Sequence, residues 1–183
     1  MRRAAIVLLL FCLALAGTAA ATTLRQLTLA ELKARAARIA ELEVVSTINE
    51  EGGDMPFTLA VCRVRRNLRG PAGDSVVLRV PGGKRGDLTA LVPGAPLPEV
   101  GDVFVAFLEA DPAAYRGRPV WRPVALGQGM FALVERGGAT WAIQVLDRAP
   151  ERFRACGDAA ADCLRRLNVL GLPLAELDQP AGE

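Results

Sequence analysis

The chain has 183 residues, with 22 basic side chains against 20 acidic ones and no histidine. The absence of histidine excludes Ser–His and Cys–His nucleophile pairs and removes the usual imidazole ligand for zinc. The balanced charge excludes the strongly basic footprint of a nucleic-acid-binding surface, so no nucleic-acid partner is expected.

The first 21 residues, MRRAAIVLLLFCLALAGTAAA, place Arg2 and Arg3 before an apolar run from Ala4 to Ala16. Small residues follow, with an A-x-A-type cleavage site at Ala19-Ala20-Ala21. This is the layout of a secretory signal peptide. The run falls short of the roughly 20 apolar residues a bilayer span requires, and no later segment is longer, so no transmembrane segment is expected in the mature chain. Bulky Phe11 before Cys12 does not fit a lipid-attachment site. Removing Arg2 and Arg3 leaves the mature chain neutral. Residues 22–175 are then one domain of ordinary size, and 176–183 form a flexible tail. The expected location is periplasmic or secreted.

The first mature element is a helix. Thr28 stands at the N-cap of LTLAELKARAARI, Glu31 completes a capping box, and Leu27 with Leu32 forms a hydrophobic staple. It ends near Ala37. Ile39 to Ile48 alternates as a strand, with Leu42, Val44, Ser46 and Ile48 on one side. NEEGGDMP is a polar loop, Phe57 to Leu68 a second strand, and Ser75 to Val80 a third. The segment PGGKRGDLTALVPGAPLPEVGD reads as one long loop. Val103 to Leu108 (VFVAFL) is apolar on both faces, the pattern of the most buried strand. ADPAAYRGRP reads as loop, Val120 to Leu126 as a short strand, and Gly127-Gln128-Gly129 as a kink. Met130 to Val134 and Thr140 to Leu146 flank ERGGA as a hairpin, and Asp162 to Leu170 forms a short C-terminal helix. Short strands with Gly/Pro turns and flanking helices predict a mainly β fold. Its form is a small five- to six-stranded, partly open OB-like barrel with an N-terminal helix and a short C-terminal helix.

Cys62, Cys156 and Cys163 remain after the leader. Outside the cytosol a pair is expected to be oxidised, and Cys156 with Cys163 is the natural one. Seven residues along a continuous helix would hold them about 10 Å apart, so the segment between must turn. Cys62 alternates with Ala60 and Val64 and reads as a small core residue.

VPGGKRGDL, residues 80–88, resembles a phosphate-binding loop only superficially. Arg85 takes the Ser/Thr place, the first glycine is missing, and no helix follows. Arg85-Gly86-Asp87 reads as a turn whose glycine supplies positive φ. Arg63, Arg65, Arg66, Arg69 and Arg79 are placed to line one basic face, for which the neutral total charge implies neighbouring carboxylates. Glu50-Glu51 and Asp158–Asp162 show no apolar pocket for acid–base work, and Asp102 reads as a turn residue. Tyr115, Trp121 and Trp141 read as core or edge aromatics rather than a ligand-stacking patch. No catalytic, metal or cofactor residues are expected. The contact surface is expected on the long loop after the third strand, at Lys84, Arg85, Asp87, Leu88 and Leu91.

Leu68-Arg69-Gly70, Pro81-Gly82-Gly83, Gly101, Phe107-Leu108 and Gly127-Gln128-Gly129 carry a resemblance. From Leu27 to Val134 the chain resembles a family of uncharacterised secreted bacterial proteins with an OB-like barrel. Leu42 and Arg69 stand where that pattern has glycine and lysine. The element order is also similar to the netrin-like domain of the tissue inhibitors of metalloproteinases, which implies a barrel with a flanking helix. Those inhibitors chelate zinc with an N-terminal cysteine, whereas this mature chain would begin near Ala21 or Thr22 without one. Together these readings imply an exported, non-catalytic binding module of the cell envelope whose partner is an envelope or extracellular protein. The alternatives are a protease inhibitor and a histidine-free enzyme using carboxylates or Cys62.

Overall fold

The computed structural model describes residues 25–50, 55–146, 148–157 and 159–177. The expected leader region, Glu51, Asp158 and residues 178–183 of the expected tail lie outside the described residues; of that tail, Glu176 closes a 3-10 turn and Leu177 is buried in the core. Helix α1 (Leu29–Arg35) begins where its capping chemistry requires. The Glu31 N–H donates to Thr28 Oγ1 at 3.2 Å, and Thr28 N–H donates to Glu31 Oε2 at 2.8 Å. A hydrogen bond from Arg25, with those from Thr28, holds the Glu31 carboxyl down at about 2. Leu27 and Leu32 are both buried in one cluster, as a staple demands.

Ten strands follow. They are β1 (Arg38–Glu50), β2 (Phe57–Arg69), β3 (Ser75–Pro81), β4 (Gly83–Arg85), β5 (Leu88–Ala90), β6 (Val103–Tyr115), β7 (Arg118–Pro123), β8 (Met130–Arg136), β9 (Ala139–Gln144) and β10 (Gly171–Pro173). The order β1-β2-β3-β7-β6 returns to β1, because β6 also pairs with β1 from Arg38 to Glu43. The β3–β7 seam is parallel and short, joining Val77 to Val120 and Leu78 to Trp121. This is the five-stranded, partly open ring of an OB-type barrel. The ring agrees with the five- to six-stranded barrel expected from sequence; β8, β9 and β10 extend the sheet beyond it, and β4 with β5 forms a separate ribbon.

The apolar character of VFVAFL on both faces has a direct cause. Phe104, Ala106 and Leu108 point into the barrel with Leu42, Val44, Cys62 and Leu78. Val105 and Phe107 point outward, under α1 and beside Phe131, whose ring centroid is 5.3 Å from that of Phe107. One strand thus serves two cores.

Besides the unpredicted β10 and the end of β7 at Pro123 rather than Leu126, three segments depart from the sequence expectation. ADPAAYRGRP continues β6 and starts β7, with a two-residue turn at Arg116-Gly117. Pro112 is tolerated because it falls in the irregularity between Ala110 and Ala114, where the Ala113 N–H donates to Asp111 Oδ1 at 2.9 Å instead of to a neighbouring strand. The predicted loop after β3 contains the β4–β5 ribbon. Its turn, Gly86-Asp87, has φ +57° at the glycine, the arrangement of a type II′ hairpin. The third departure is an added helix, α2 (Ala149–Ala155), before the expected C-terminal helix α3 (Ala160–Leu167). The chain turns between them, bringing Cys156 and Cys163 into disulfide contact with their Cα atoms 6.3 Å apart. Phe153 and Cys163 then share a small core with Val134 and Ile143 of β8 and β9. Among the described residues no helix is long and apolar enough to cross a membrane.

The Gly127-Gln128-Gly129 kink is a 3-10 turn (Leu126–Gly129) that joins the ring to its extension. The Gln128 side chain is 2 % exposed. It accepts from Leu27 N–H at 2.7 Å and donates to Arg25 C=O at 3.0 Å. Gln128→Ala strands both backbone groups, each at a cost of about 1 to 3 kcal/mol when buried. Urea denaturation is expected to show a lower midpoint for this variant with an unchanged slope. Reducing Cys156–Cys163 frees a short closed loop and is expected to cost about 2 to 3 kcal/mol, read as a lower unfolding temperature with reductant that a double serine variant reproduces without it.

Candidate binding groove

The β4–β5 ribbon is clamped over one end of the barrel by backbone and small side chains. Gly82 N–H donates to Pro56 C=O, the Thr58 hydroxyl donates to Gly82 C=O at 3.0 Å, and Lys84 N–H donates to Asn49 Oδ1 at 3.1 Å. A side chain at Gly83 would place its Cβ 2.7 Å from Thr58 Oγ1 and 2.8 Å from Asn49 Oδ1. Only glycine lets the ribbon approach β1 and β2 this closely, at a φ of +137°.

Opposite the ribbon, the segment 91–102 crosses back to the start of β6. The Asp102 carboxylate accepts from Glu99 N–H at 2.8 Å, which makes Asp102 the turn residue that the sequence indicated. Gly101 N–H donates to Val44 C=O, and Val44 N–H donates to Asp102 C=O, so this segment ends as a short continuation of the β1–β6 ladder.

Between these walls lies a groove of about 470 Å³. Thr47 and Asn49 of β1, Lys84 of the ribbon, and Leu91, Leu97 and Val100 line it. Two of its apolar lining residues are open to solvent: Leu91 is 75 % exposed and Val100 65 %. Of the residues expected on the contact loop, Lys84 and Leu91 line the groove and Leu88 projects from the ribbon beside its turn. Arg85 and Asp87 lie at the exposed ribbon tip, outside the groove lining. Thr47, Asn49 and Val100 escaped the sequence reading because their place depends on where β6 leaves β1. Gly86-Asp87 between Arg85 and Leu88 was the legible signal for the ribbon itself.

Of the five arginines predicted to share a face, four lie beside carboxylates and Arg69 donates to a backbone carbonyl. Arg63 reaches Glu43 at 2.8 Å, Arg66 reaches Glu41 at 3.3 Å, and Arg65 lies 3.6 Å from Glu41. Arg79 bonds Glu50 at 2.8 Å and stacks on Phe57, and Arg69 donates to Lys33 C=O. Their cross-strand register on β1 and β2, with Glu43 opposite Arg63 and Glu41 opposite Arg66, produces this pairing. Tyr115, Trp121 and Trp141 sit in three different clusters and form no common patch. Asp162 is exposed and pairs with Arg165 at 3.3 Å.

Cys62 is fully buried in the barrel interior, and burial pushes its thiol up to about 12. At neutral pH it therefore lacks the thiolate that a nucleophile requires. Comparison with protein-family models, with curated proteins and with solved structures finds no match for this chain.

Iodoacetamide is expected to leave Cys62 unmodified in the native protein and to label it fully after unfolding in denaturant, as read by intact mass. Rapid labelling of the native protein would contradict the buried thiol.

Proposed function

We propose that this chain is an exported, non-catalytic binding module, and that it holds an envelope or extracellular protein partner at the groove between β1, the β4–β5 ribbon and the segment 91–100. The observation that carries this reading is the pair of solvent-exposed apolar side chains, Leu91 and Val100, that line a concave surface. Large apolar side chains grouped at a concavity mark an interaction site more often than isolated ones do. The groove stands on an anchored scaffold, because Gly82 and Lys84 are tied by hydrogen bonds to β1, β2 and the segment before β2. The secreted-family resemblance and the leader sequence favour an envelope setting for that partner.

The test is a cross-linked pull-down from the native envelope fraction, comparing the mature chain with a Leu91→Asp/Val100→Asp variant whose fold is verified by circular dichroism. Burying a carboxylate against an apolar partner without a counter-charge costs several kcal/mol, so capture of a stoichiometric partner is expected to fall by about ten-fold or more. Equal capture by both proteins would overturn the groove as the contact surface. A turnover activity abolished by changing one carboxylate would overturn the non-catalytic reading.

A further inference from the structure

The groove is bordered by an edge of β1 that the barrel leaves unused. β1 pairs with β2 along nearly its whole length, but with β6 only from Arg38 to Glu43. Val44 adds one last pair of hydrogen bonds on that side, to Gly101 and Asp102. From Val45 to Glu50, β1 pairs with β2 alone among the described residues. A register shift between Val44 and Ser46 marks a bulge at the point of departure, which turns the strand away from β6. The open stretch spans six residues, roughly 20 Å of extended chain.

Proteins usually blunt such an edge with lysine, proline or a covering loop. Here the sequence from Val45 to Asn49 is VSTIN, which carries no charge and no proline. It is rich in the β-branched residues that favour pairing. Val45 is 54 % exposed, and Thr47 and Asn49 line the groove. An edge of this kind offers a row of backbone N–H and C=O groups, and what complements such a row is another extended backbone.

We propose that the partner enters as an extended strand, adding to β1 along Val45 to Glu50 with alternate side chains directed at Leu91, Leu97 and Val100. This deepens the binding-module reading and rests on it. The groove also selects the kind of occupant. The edge lies between two walls, the ribbon and the segment 97–100. A second folded copy would have to bring its own walls against these, whereas a loose segment of a different polypeptide slides between them. The recognised segment is therefore strand-forming and apolar at alternate positions, with main-chain bonds supplying affinity and the apolar wall supplying selectivity. Lys84 and Glu99, neither in an ion pair among the described residues, give the groove one charge of each sign.

The probe is a library of random short peptides displayed on phage, selected on the mature chain and counter-selected on Leu91→Asp/Val100→Asp. Enriched peptides are then synthesised, and their amide nitrogens are methylated one at a time. Strand addition predicts that methylation at alternate positions weakens binding about ten-fold or more, while the intervening positions tolerate it. It also predicts that bound peptide slows hydrogen exchange at alternate amides within Val45 to Glu50. Groove-dependent peptides that tolerate every methylation and protect no β1 amide would overturn strand addition while leaving the groove as the contact surface. Enrichment of no groove-dependent peptide would overturn strand addition and remove the support for a peptide-binding groove, which the pull-down tests separately.

Discussion

The buried amide of Gln128 is the junction on which the rest of the molecule hangs. Its side chain satisfies Leu27 N–H and Arg25 C=O, which fixes the chain entering α1. Its own carbonyl accepts the Gln144 side-chain amide at 2.8 Å, and Gln144 N–H donates to Leu170 C=O, which fixes the strand returning as β10. Two buried glutamines thus tie the N-terminal segment, the ring, its extension and the C-terminal return together. The local backbone is costly. Ala125 and Leu126 both have positive φ, at about 1 to 2 kcal/mol for each non-glycine residue. Gly127 and Gly129 pass so close to neighbouring backbone that a Cβ at either would lie under 3 Å from a carbonyl oxygen. The network persists because its buried polar groups, left unpaired together, would cost more than the strain.

From that junction the double-sided use of β6 follows. The 3-10 turn lets the chain leave β7 and continue as β8 beside the same strand, so β6 pairs with β1 on one edge and with β7 and then β8 on the other. The outer face of β6, which a simple barrel would leave to solvent, is instead covered by α1, Phe131 and the C-terminal segment. The C-terminal helices complete the cover over β8 and β9, with Arg136 donating to Phe153 C=O and Cys156 C=O and lying 4.6 Å over the Phe153 ring.

The groove is the other consequence of strand lengths. β1 runs past the point where β6 begins, and the segment 91–102 and the ribbon partly fill the space beside it. Much of the remaining β1–β2 outer surface is occupied by cross-strand ion pairs between Arg63, Arg65 or Arg66 and Glu41 or Glu43. Apolar exposure concentrates instead at Val45, Ile48, Leu91 and Val100, on and beside the stretch of β1 that lacks a second neighbour among the described residues.

Local chemistry was legible in the chain. The Thr28–Glu31 capping box, the alternation in β2 and β3, the two-faced apolar run of β6 and the Gly137-Gly138 hairpin each depend on residues a few positions apart. So did the core placement of Cys62 and the turn at Gly86. In β1 the expected single face is corrected: Leu42 and Val44 face the barrel interior, but the register shift between Val44 and Ser46 turns Ser46 and Ile48 to the opposite face. The β10 strand, helix α2 and the extension of β6 through Pro112 were not legible, because each depends on a distant partner: Trp141 to Ile143 for β10, Val134 and Ile143 for α2, and β7 for the end of β6. The long segment after β3 was recognisable by composition, but the groove was not. Whether Thr47, Asn49 and Val100 line a cleft or lie inside a ladder is decided by where β6 stops pairing with β1, and a strand's own residues do not encode the end point of its neighbour.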